Sequence, residues 1–307
     1  MLKNKLLILA IIVVAFTAVF FYLNNSKIID LKGNIESPGL INKIADYDKE
    51  KNKAEEALNN LSLAVNDFEK LRVPEESYGD EFSAIKQLFN RENYTETVLQ
   101  SIQLGKDIRA VIEAENVKPK ISITFDAGAG SGATQKLIDY LASSRLKITF
   151  FSTGKWTEQN PELFKNVLVP RDGLINELGN HTYSHAHLVS GGLTDEQSKE
   201  EIIKTENIFS SFGYTAKPLF RYPYGERNVH TNDLINELGY DSVYWTVDSL
   251  GWQNKQTGEE IAQRVISKLG SNGIVLMHVG SNEDVEAVPI IVEKLKAQYR
   301  FVFASEL

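Results

Sequence analysis

The chain has 307 residues, of which 42% are hydrophobic and 24% are charged, and this composition is too apolar for an intrinsically disordered protein. Its formal net charge of -8 gives no electrostatic basis for binding nucleic acid or anionic lipid headgroups. The absence of cysteine excludes disulfides, zinc-thiolate sites and a thiol nucleophile, so any metal ion must be held by His, Asp or Glu.

The N-terminus carries an unbroken apolar run. Lys3 and Lys5 precede 18 residues, from Leu6 to Leu23, that would span about 27 Å as a helix, close to the hydrocarbon thickness of a bilayer. A cleaved signal peptide is the alternative, but the run is longer than a usual signal core, so we predict an uncleaved single-pass membrane anchor over residues 1–25. The lysines place the N-terminus inside the cell and the rest of the chain outside it, and cleavage would give a secreted protein.

Residues 26–117 are predicted to form a helical stalk. From Leu40 to Phe68, apolar residues alternate spacings of four and three, with Lys51 as the polar exception, which predicts a long amphipathic helix. Pro74 and Gly79 interrupt it, and two shorter helices are predicted on the apolar positions Phe82, Ile85 and Leu88, and then Val98, Ile102 and Ile112. Because the heptad pattern lasts only about four heptads, we favour the buried face of an intrachain hairpin or bundle over an intermolecular coiled coil. A protein partner of the stalk is left unidentified.

Residues 118–307 change to short β-branched runs that alternate with helical patterns. Strands are predicted at Ile121–Phe125, Ile148–Ser152, Leu219–Phe220, Val243–Val247, Ile274–Met277 and Phe301–Phe303. Helices are predicted at Thr134–Ser143, Thr194–Phe212, Asn232–Leu238, Gly258–Leu269 and Val285–Gln298. Alternation of this kind predicts parallel pairing, and six or seven such units indicate a small or incomplete β/α barrel.

Polar residues follow four of the predicted strands. Asp126, Arg221, Asp248 and His278 each stand at or just after a strand end. The carboxyl ends of the strands converge on one face of a β/α barrel, so these four side chains are expected in one cavity. Any one of them could simply cap a helix or meet solvent, but four together indicate a catalytic face.

A histidine pair adds a candidate metal site. The segment HTYSH places His181 and His185 four residues apart. On a turn of helix both imidazoles would project from one face and could bind one metal ion. The spacing alone is a weak signal. His187 and His230 are interpreted as structural, since nothing in the sequence frames either as a ligand.

Five segments together resemble a known family. They are similar to the five ordered motifs of the polysaccharide deacetylases, carbohydrate esterase family 4, whose NodB-like domain is a distorted β/α barrel. The segments are TFDAG at 124–128, ELGNHTYSH at 177–185, RYPYG at 221–225, DSLGW at 248–252 and IVLMH at 274–278. The resemblance covers about residues 118–307 and does not reach the predicted stalk.

The resemblance implies a metal-assisted hydrolysis of N-acetyl groups. It makes His181 and His185 the ligands of a divalent metal, usually zinc with cobalt as an alternative, and Asp126 the base that deprotonates water, held by Arg221. His278 would protonate the departing amine. The backbone N–H at Tyr224 would share the oxyanion with the metal, and Trp252 and Leu276 would line the acetate pocket.

Two positions depart from the family pattern. Ala127 stands where the family has a second aspartate as third metal ligand, which predicts weaker metal binding. Gly251 stands where the family has the aspartate that orients the proton-donating histidine, which predicts a lower pKa for His278. We hypothesise that Asp248, a candidate substrate-site residue, takes over one of these tasks.

Three functions are weighed. An active deacetylase is favoured, because the base, the histidine pair, the arginine and the acid are all retained. A degenerate glycan-binding module tethered to the wall and a scaffold that recruits a partner through the stalk are the alternatives. A barrel outside the membrane faces the cell wall, so peptidoglycan N-acetylglucosamine is the expected substrate, ahead of N-acetylmuramic acid, chitin oligomers and poly-N-acetylglucosamine.

Overall fold

A computed structural model describes residues 38–74, 76–171 and 173–307 of the chain. The predicted anchor over residues 1–25 lies outside these residues. Within the part that is described, no helix is both long enough and apolar enough to cross a membrane.

The described chain divides into two compact units. The first comprises residues up to 63 together with 81–105, and the second comprises 64–80 together with 106–307. Three helices precede the sheet: α1 (Pro38–Leu71), α2 (Gly79–Asn90) and α3 (Tyr94–Val117). The long helix and the two shorter ones predicted from the apolar spacing are therefore present.

The apolar residues from which these helices were predicted are only partly buried. In the first unit Ala54 and Leu61 on α1 are buried, whereas Ile44 is about half exposed, with a relative exposure of 53%. On α3 the buried side is carried by Tyr94 and by small polar residues such as Thr97, while Ile102, which we predicted on the apolar side, is 48% exposed. The prediction was wrong for Ile102. The buried side of α3 contains Thr97, Ser101 and Ile108, and it is rotated about the helix axis from the side that contains Val98 and Ile102.

The second unit contains eight strands in one parallel sheet. The strands are β1 (Lys120–Ala127), β2 (Ile148–Ser152), β3 (Glu177–Asn180), β4 (Leu219–Phe220), β5 (Asp241–Ser242), β6 (Val247–Asp248), β7 (Gly273–His278) and β8 (Arg300–Phe301). Their order is β5-β4-β3-β2-β1-β7-β6, and β8 pairs with the start of β1. The curled half-barrel confirms the expected β/α barrel architecture.

Seven helices connect the strands. They are α4 (Thr134–Ser144), α5 (Gly154–Gln159), α6 (Pro161–Leu168), α7 (Asp195–Ser211), α8 (Val229–Glu237), α9 (Gly258–Lys268) and α10 (Asn282–Leu295). Side chains at their N-caps hold several of them, as Thr194 does for α7 and Ser281 for α10. Each cap fixes where the helix begins and therefore where the preceding strand-end loop lies.

The core lies between the sheet and these helices. Strand β1 is buried from Ile121 to Ala127, as expected for the central strand of a sheet covered by helices. Phe164 of α6 stacks on Phe209 of α7 with ring centroids 5.3 Å apart, and Phe150 of β2 lies beside Phe164. This core sets the positions of the strand ends that carry the polar residues.

One predicted strand differs from the structure, and three elements of the structure were not predicted. The single strand predicted at Val243–Val247 is instead two short strands, β5 and β6, that lie at opposite ends of the sheet order. The intervening residues cross from one edge of the sheet to the other and so cannot pair as one strand. Strand β3 and helices α5 and α6 were not predicted, because Glu177–Asn180 has no β-branched residue and residues 154–168 have no sustained periodicity.

Candidate active site

One cavity opens at the carboxyl ends of the strands. It has a volume of about 630 Å³, and all of the predicted site residues line it except Arg221. The lining includes Asp126, His181, His185, Tyr224, Asp248, Trp252, Leu276 and His278. The expected convergence at this face of the sheet is thus present within the second unit.

Asp126, at the end of β1, is buried and paired with a buried cation. Its Oδ1 accepts a hydrogen bond from Nη1 of Arg221 at 2.7 Å, and the same nitrogen donates to Oγ1 of Thr124 at 2.8 Å. Arg221 is fully buried behind this carboxylate and contacts the Phe151 ring. Burial alone would raise the pKa of Asp126, but the charge and the hydrogen bond of Arg221 hold it below its usual range, so the carboxylate is ionised at neutral pH.

His181 follows β3 and has a defined tautomer. Its Nδ1 donates to the backbone carbonyl of Arg221 at 2.8 Å, so the proton of the neutral ring lies on Nδ1 and the lone pair lies on Nε2. Nε2 faces Oδ2 of Asp126 at 3.5 Å. Burial lowers the pKa of His181 and keeps the ring neutral. The ring is therefore in the form that binds a metal ion.

The segment between the two histidines is a loop and not the helical turn that we predicted. Thr182 and His185 both have left-handed backbone angles, with φ of 64° at each, and these angles cannot continue a right-handed helix. The carboxylate of Glu201 on α7 holds the loop by accepting the backbone N–H groups of Tyr183 and Ser184 at 3.0 and 2.7 Å.

The loop nevertheless brings the two imidazoles together. The ring centroids of His181 and His185 are 4.8 Å apart. Burial and the neighbouring His181 lower the pKa of His185 to about 3, so this ring is also neutral. A Cβ added at Gly128 would lie 3.0 Å from the His185 ring, so glycine at this position gives the ring its space.

The ring of Tyr224 packs against the ring of His185. Tyr224 has a φ of 61°, and its ring meets His185 edge-on at 4.5 Å between centroids. The same ring stacks on His187 with centroids 3.6 Å apart and the two ring planes almost parallel. His187 also pairs with Glu226 at 3.2 Å. We interpreted His187 as structural from the sequence, and its contact with Tyr224 shows that it supports the wall of the cavity.

His278, at the end of β7, has a carboxylate partner that the sequence analysis missed. The backbone N–H of His278 donates to Oδ2 of Asp284 at 2.9 Å, and its ring Nδ1 lies 3.6 Å from the same oxygen. Burial lowers the pKa of His278, but the carboxylates of Asp284, Asp126 and Asp248 outweigh this effect and raise it above the ordinary value. The predicted lower pKa of His278 was therefore wrong, because the absence of a carboxylate at residue 251 does not leave the ring without an acidic neighbour.

Asp248 has a different set of partners from the one we hypothesised. Its Oδ1 accepts the backbone N–H of Leu250 at 2.8 Å, and its Oδ2 lies 3.4 Å from Nε1 of Trp252. Asp248 therefore shapes the loop that carries Trp252. Leu276 is buried in the cavity wall, while Trp252 is 54% exposed at the rim.

The donor set around His181 fits a divalent cation. A neutral Nε2 lone pair and an ionised carboxylate oxygen are both acceptors, and a cation bound beside them relieves their mutual repulsion. His185 supplies a second neutral imidazole. In residues 38–74, 76–171 and 173–307, no three His, Asp or Glu side chains are arranged as a complete metal-binding group, in agreement with Ala127 in place of a carboxylate. The ion would have two imidazole ligands and several positions open to water.

Two further residues differ in their position relative to the cavity. Trp245, which the sequence analysis did not single out, lines the cavity, and a Cβ at Gly225 would contact its ring. His230 lies away from the cavity in an exposed pair with Asp195 at 2.8 Å, as expected for a structural histidine. The sequence feature that could have pointed to Trp245 as a cavity residue is its aromatic side chain in the loop between β5 and β6.

Comparisons with known proteins agree with these motifs. Residues 113–243 match the family model described as polysaccharide deacetylase. A peptidoglycan-N-acetylglucosamine deacetylase from Bacillus cereus is 35% identical over 202 residues, which cover 64% of this chain and 91% of that protein.

Two solved structures resemble the chain. A family 4 carbohydrate esterase from Streptomyces lividans in complex with acetate is 32% identical with a TM-score of 0.54, and the match covers 60% of this chain and 91% of that one. A carbohydrate esterase family 4 pseudoenzyme from Bacillus anthracis is 25% identical with a TM-score of 0.56, and the match covers 62% of this chain and 66% of that one.

Proposed function

The chain belongs to the polysaccharide deacetylase family, and from that premise we propose that it is a metal-dependent hydrolase that removes N-acetyl groups from peptidoglycan N-acetylglucosamine. One observation carries the proposal: an ionised carboxylate, two neutral imidazoles and a third histidine of raised pKa line a single cavity. These are the groups that an amide hydrolysis requires.

The residues that would hold the metal are His181 and His185, with zinc as the expected ion and cobalt as an alternative. When bound, the ion supplies a Lewis acid that polarises the acetyl carbonyl and lowers the pKa of water. Both imidazoles are neutral, and the Nδ1 hydrogen bond of His181 to Arg221 fixes which nitrogen is available.

Asp126 is proposed to take the proton from the attacking water. Its carboxylate is ionised and is held in one orientation by Arg221, so it can accept a proton without a change of position. The water oxygen forms a bond to the acetyl carbon as the O–H bond breaks. Tyr224 lines the cavity, and its backbone N–H is proposed to donate to the developing oxyanion.

His278 is proposed to complete the reaction as the acid. It lines the cavity at the end of β7, and the carboxylates of Asp284, Asp126 and Asp248 raise its pKa and so favour the protonated ring that an acid requires. The C–N bond of the amide breaks as His278 gives its proton to the nitrogen, so the products are acetate and a glycan amine. Leu276 and Trp252, which line the same cavity, are proposed to form the apolar wall around the acetyl methyl group.

The proposed location is the outer face of a cell membrane. The apolar run from Leu6 to Leu23, which lies outside the described residues, supports a single-pass anchor or, if cleaved, a secreted protein. Peptidoglycan would then be within reach of the catalytic unit. The activity named for the Bacillus cereus relative supports N-acetylglucosamine as the sugar.

A glycan-binding module without activity is the second candidate. Ala127 and Gly251 favour it, since both replace carboxylates of the family pattern, and so does the similarity to the Bacillus anthracis pseudoenzyme. Purified full-length chain with added zinc can be incubated with peptidoglycan, chitin oligomers and poly-N-acetylglucosamine, and the products analysed by mass spectrometry. Loss of acetyl groups from N-acetylglucosamine supports the hydrolase, loss from N-acetylmuramic acid would change the proposed sugar, and binding with every glycan intact would leave the second candidate.

A further inference from the structure

We propose that Asp284 is the positioning residue of His278 and that it replaces, from a different element of the fold, the carboxylate that Gly251 lacks. The inference rests on the proposed hydrolase function and assigns a role within that same site. Asp284 lies in the first turn of α10, six residues after His278, and belongs to none of the five sequence motifs.

The contact between the two residues is close and shielded from water. Asp284 is fully buried, and its Oδ2 accepts the His278 backbone N–H at 2.9 Å while lying 3.6 Å from the ring Nδ1. That second distance is an ion-pair distance, slightly longer than a hydrogen bond. Catalytic hydrogen bonds are often long in the free enzyme and shorten when substrate binds.

Two buried polar atoms without hydrogen-bond partners support the same pairing. Within the described residues, Nδ1 of His278 and Oδ1 of Asp284 are buried and have no hydrogen-bond partner. A buried polar atom without a partner costs about 1–3 kcal/mol. A small rotation of the His278 ring would place its Nδ1–H on the Asp284 carboxylate and leave Nε2 facing the cavity.

A side chain at residue 251 and the carboxylate of Asp284 cannot occupy the same space. A Cβ built on Gly251 would overlap the carboxylate of Asp284. The φ of Gly251 lies outside the left-handed region, so its backbone does not require glycine. The space taken by Asp284 therefore explains why residue 251 is glycine, and a side chain at residue 251 would occupy the same volume.

The surroundings hold Asp284 in place. Ser281, the N-cap of α10, accepts the backbone N–H of Asp284 at 3.1 Å, and only residues 279–281 separate β7 from α10. Asp248, the residue that we first hypothesised for this task, is occupied by Leu250 and Trp252. Asp284 thus fixes the tautomer of His278 and stabilises its protonated form, as an orienting carboxylate does for a catalytic histidine.

The test moves the carboxylate between the two positions. Four variants are compared with the wild type on an N-acetylglucosamine oligomer: D284N, D284A, G251D and the double variant G251D/D284A. We expect D284N and D284A to lower kcat about 100-fold with little change in KM, since the residue acts through His278 and not on the substrate. G251D should also lose activity through crowding, while the double variant should recover at least about tenfold over D284A.

The control is E286Q on the same helix, whose carboxylate pairs with Lys136 on the exposed side and should leave kcat unchanged. Circular dichroism establishes that each variant is folded. Wild-type kcat in D284N would overturn the proposal, and so would a folded double variant no more active than D284A.

A measurement without substrate separates this proposal from the proposed function. The His278 ring is followed by NMR in wild type and D284N, where it faces the carboxylates of Asp284, Asp126 and Asp248 and the imidazoles of His181 and His185. A pKa of His278 that falls in D284N, with loss of the Nδ1–H signal, supports the pairing even if no glycan is hydrolysed. An unchanged pKa and tautomer would overturn it even if the wild type is active.

Discussion

The carboxylate of Asp126 lies between a guanidinium and an imidazole, with Oδ1 2.7 Å from Nη1 of Arg221 and Oδ2 3.5 Å from Nε2 of His181. Arg221 has no exposure to solvent, and this carboxylate is its charge partner. The pair explains how the buried carboxylate proposed as the base remains ionised and oriented toward the proposed metal ligands.

Replacing Asp126 by asparagine should remove the base while keeping the shape of the side chain. We expect kcat to fall about 10²- to 10⁴-fold, because proton transfer by a positioned group contributes that much. The melting temperature should also fall, since the buried Arg221 loses its counter-charge. D139N, on the exposed side of α4, is the matched control. Wild-type turnover in D126N would show that another group is the base.

Zinc binding should depend on the two imidazoles of the HTYSH loop. H181A and H185A should each weaken zinc affinity by at least the roughly 10- to 100-fold that loss of an outer partner costs. H230A removes an exposed histidine paired with Asp195 and should bind zinc as the wild type does. Isothermal titration of the metal-free protein with zinc provides the measurement. Equal affinity in all three variants would place the ion elsewhere.

The fold could be predicted further than the site. Apolar runs such as Ile148–Ser152 marked the strands, and their polar ends located one catalytic face, because parallel strands put these residues at the same edge. The left-handed angles of Thr182 and His185 could not be predicted, since residues other than glycine rarely adopt them and the loop is held by Glu201, which is distant in the sequence. Asp284 was missed because its proximity to Gly251 arises from the packing of α10 against the loop after β6 and leaves no spacing signal.

Leu276 should limit the size of the acyl group. Its side chain is buried in the cavity wall at the place proposed for the acetyl methyl group, so a shorter side chain there should make room for a longer acyl group. L276A should improve kcat/KM for an N-propionyl glycan relative to the N-acetyl glycan by about tenfold or more, the usual value of one methylene in an apolar pocket. Parallel assays with the two glycans test this ratio. A ratio equal to that of the wild type would show that Leu276 does not contact the acyl group.

The pH dependence of kcat/KM should have an alkaline limb set by His278. The pKa of this histidine is raised, because nearby carboxylates outweigh burial, so the acid form persists to a pH above the ordinary histidine value of about 6.5. Activity should be fully present below the raised pKa and be lost as the pH rises through it. A pH series on a soluble glycan oligomer measures the limb, and H278Q should abolish it. A limb at or below the ordinary value would contradict the raised pKa.

Arg72 should stabilise the second unit. Its buried guanidinium donates to the backbone carbonyls of Arg145, Leu146 and Ile175 and to the side chain of Asn176. R72A leaves these acceptors without a donor and should lower the free energy of unfolding by about 2–4 kcal/mol in urea denaturation. R109A, at an exposed position, should change it by less than about 0.5 kcal/mol. Equal stability of the two variants would show that water replaces the donor.

Acetate release from peptidoglycan oligomers by zinc-loaded, full-length chain is the most direct test of the proposed hydrolase. Equal amounts of acetate and new glycan amine should appear with the wild type, and at least about 100 times more slowly with D126N. A zinc-bound wild type that binds the oligomers but releases no acetate would contradict the account.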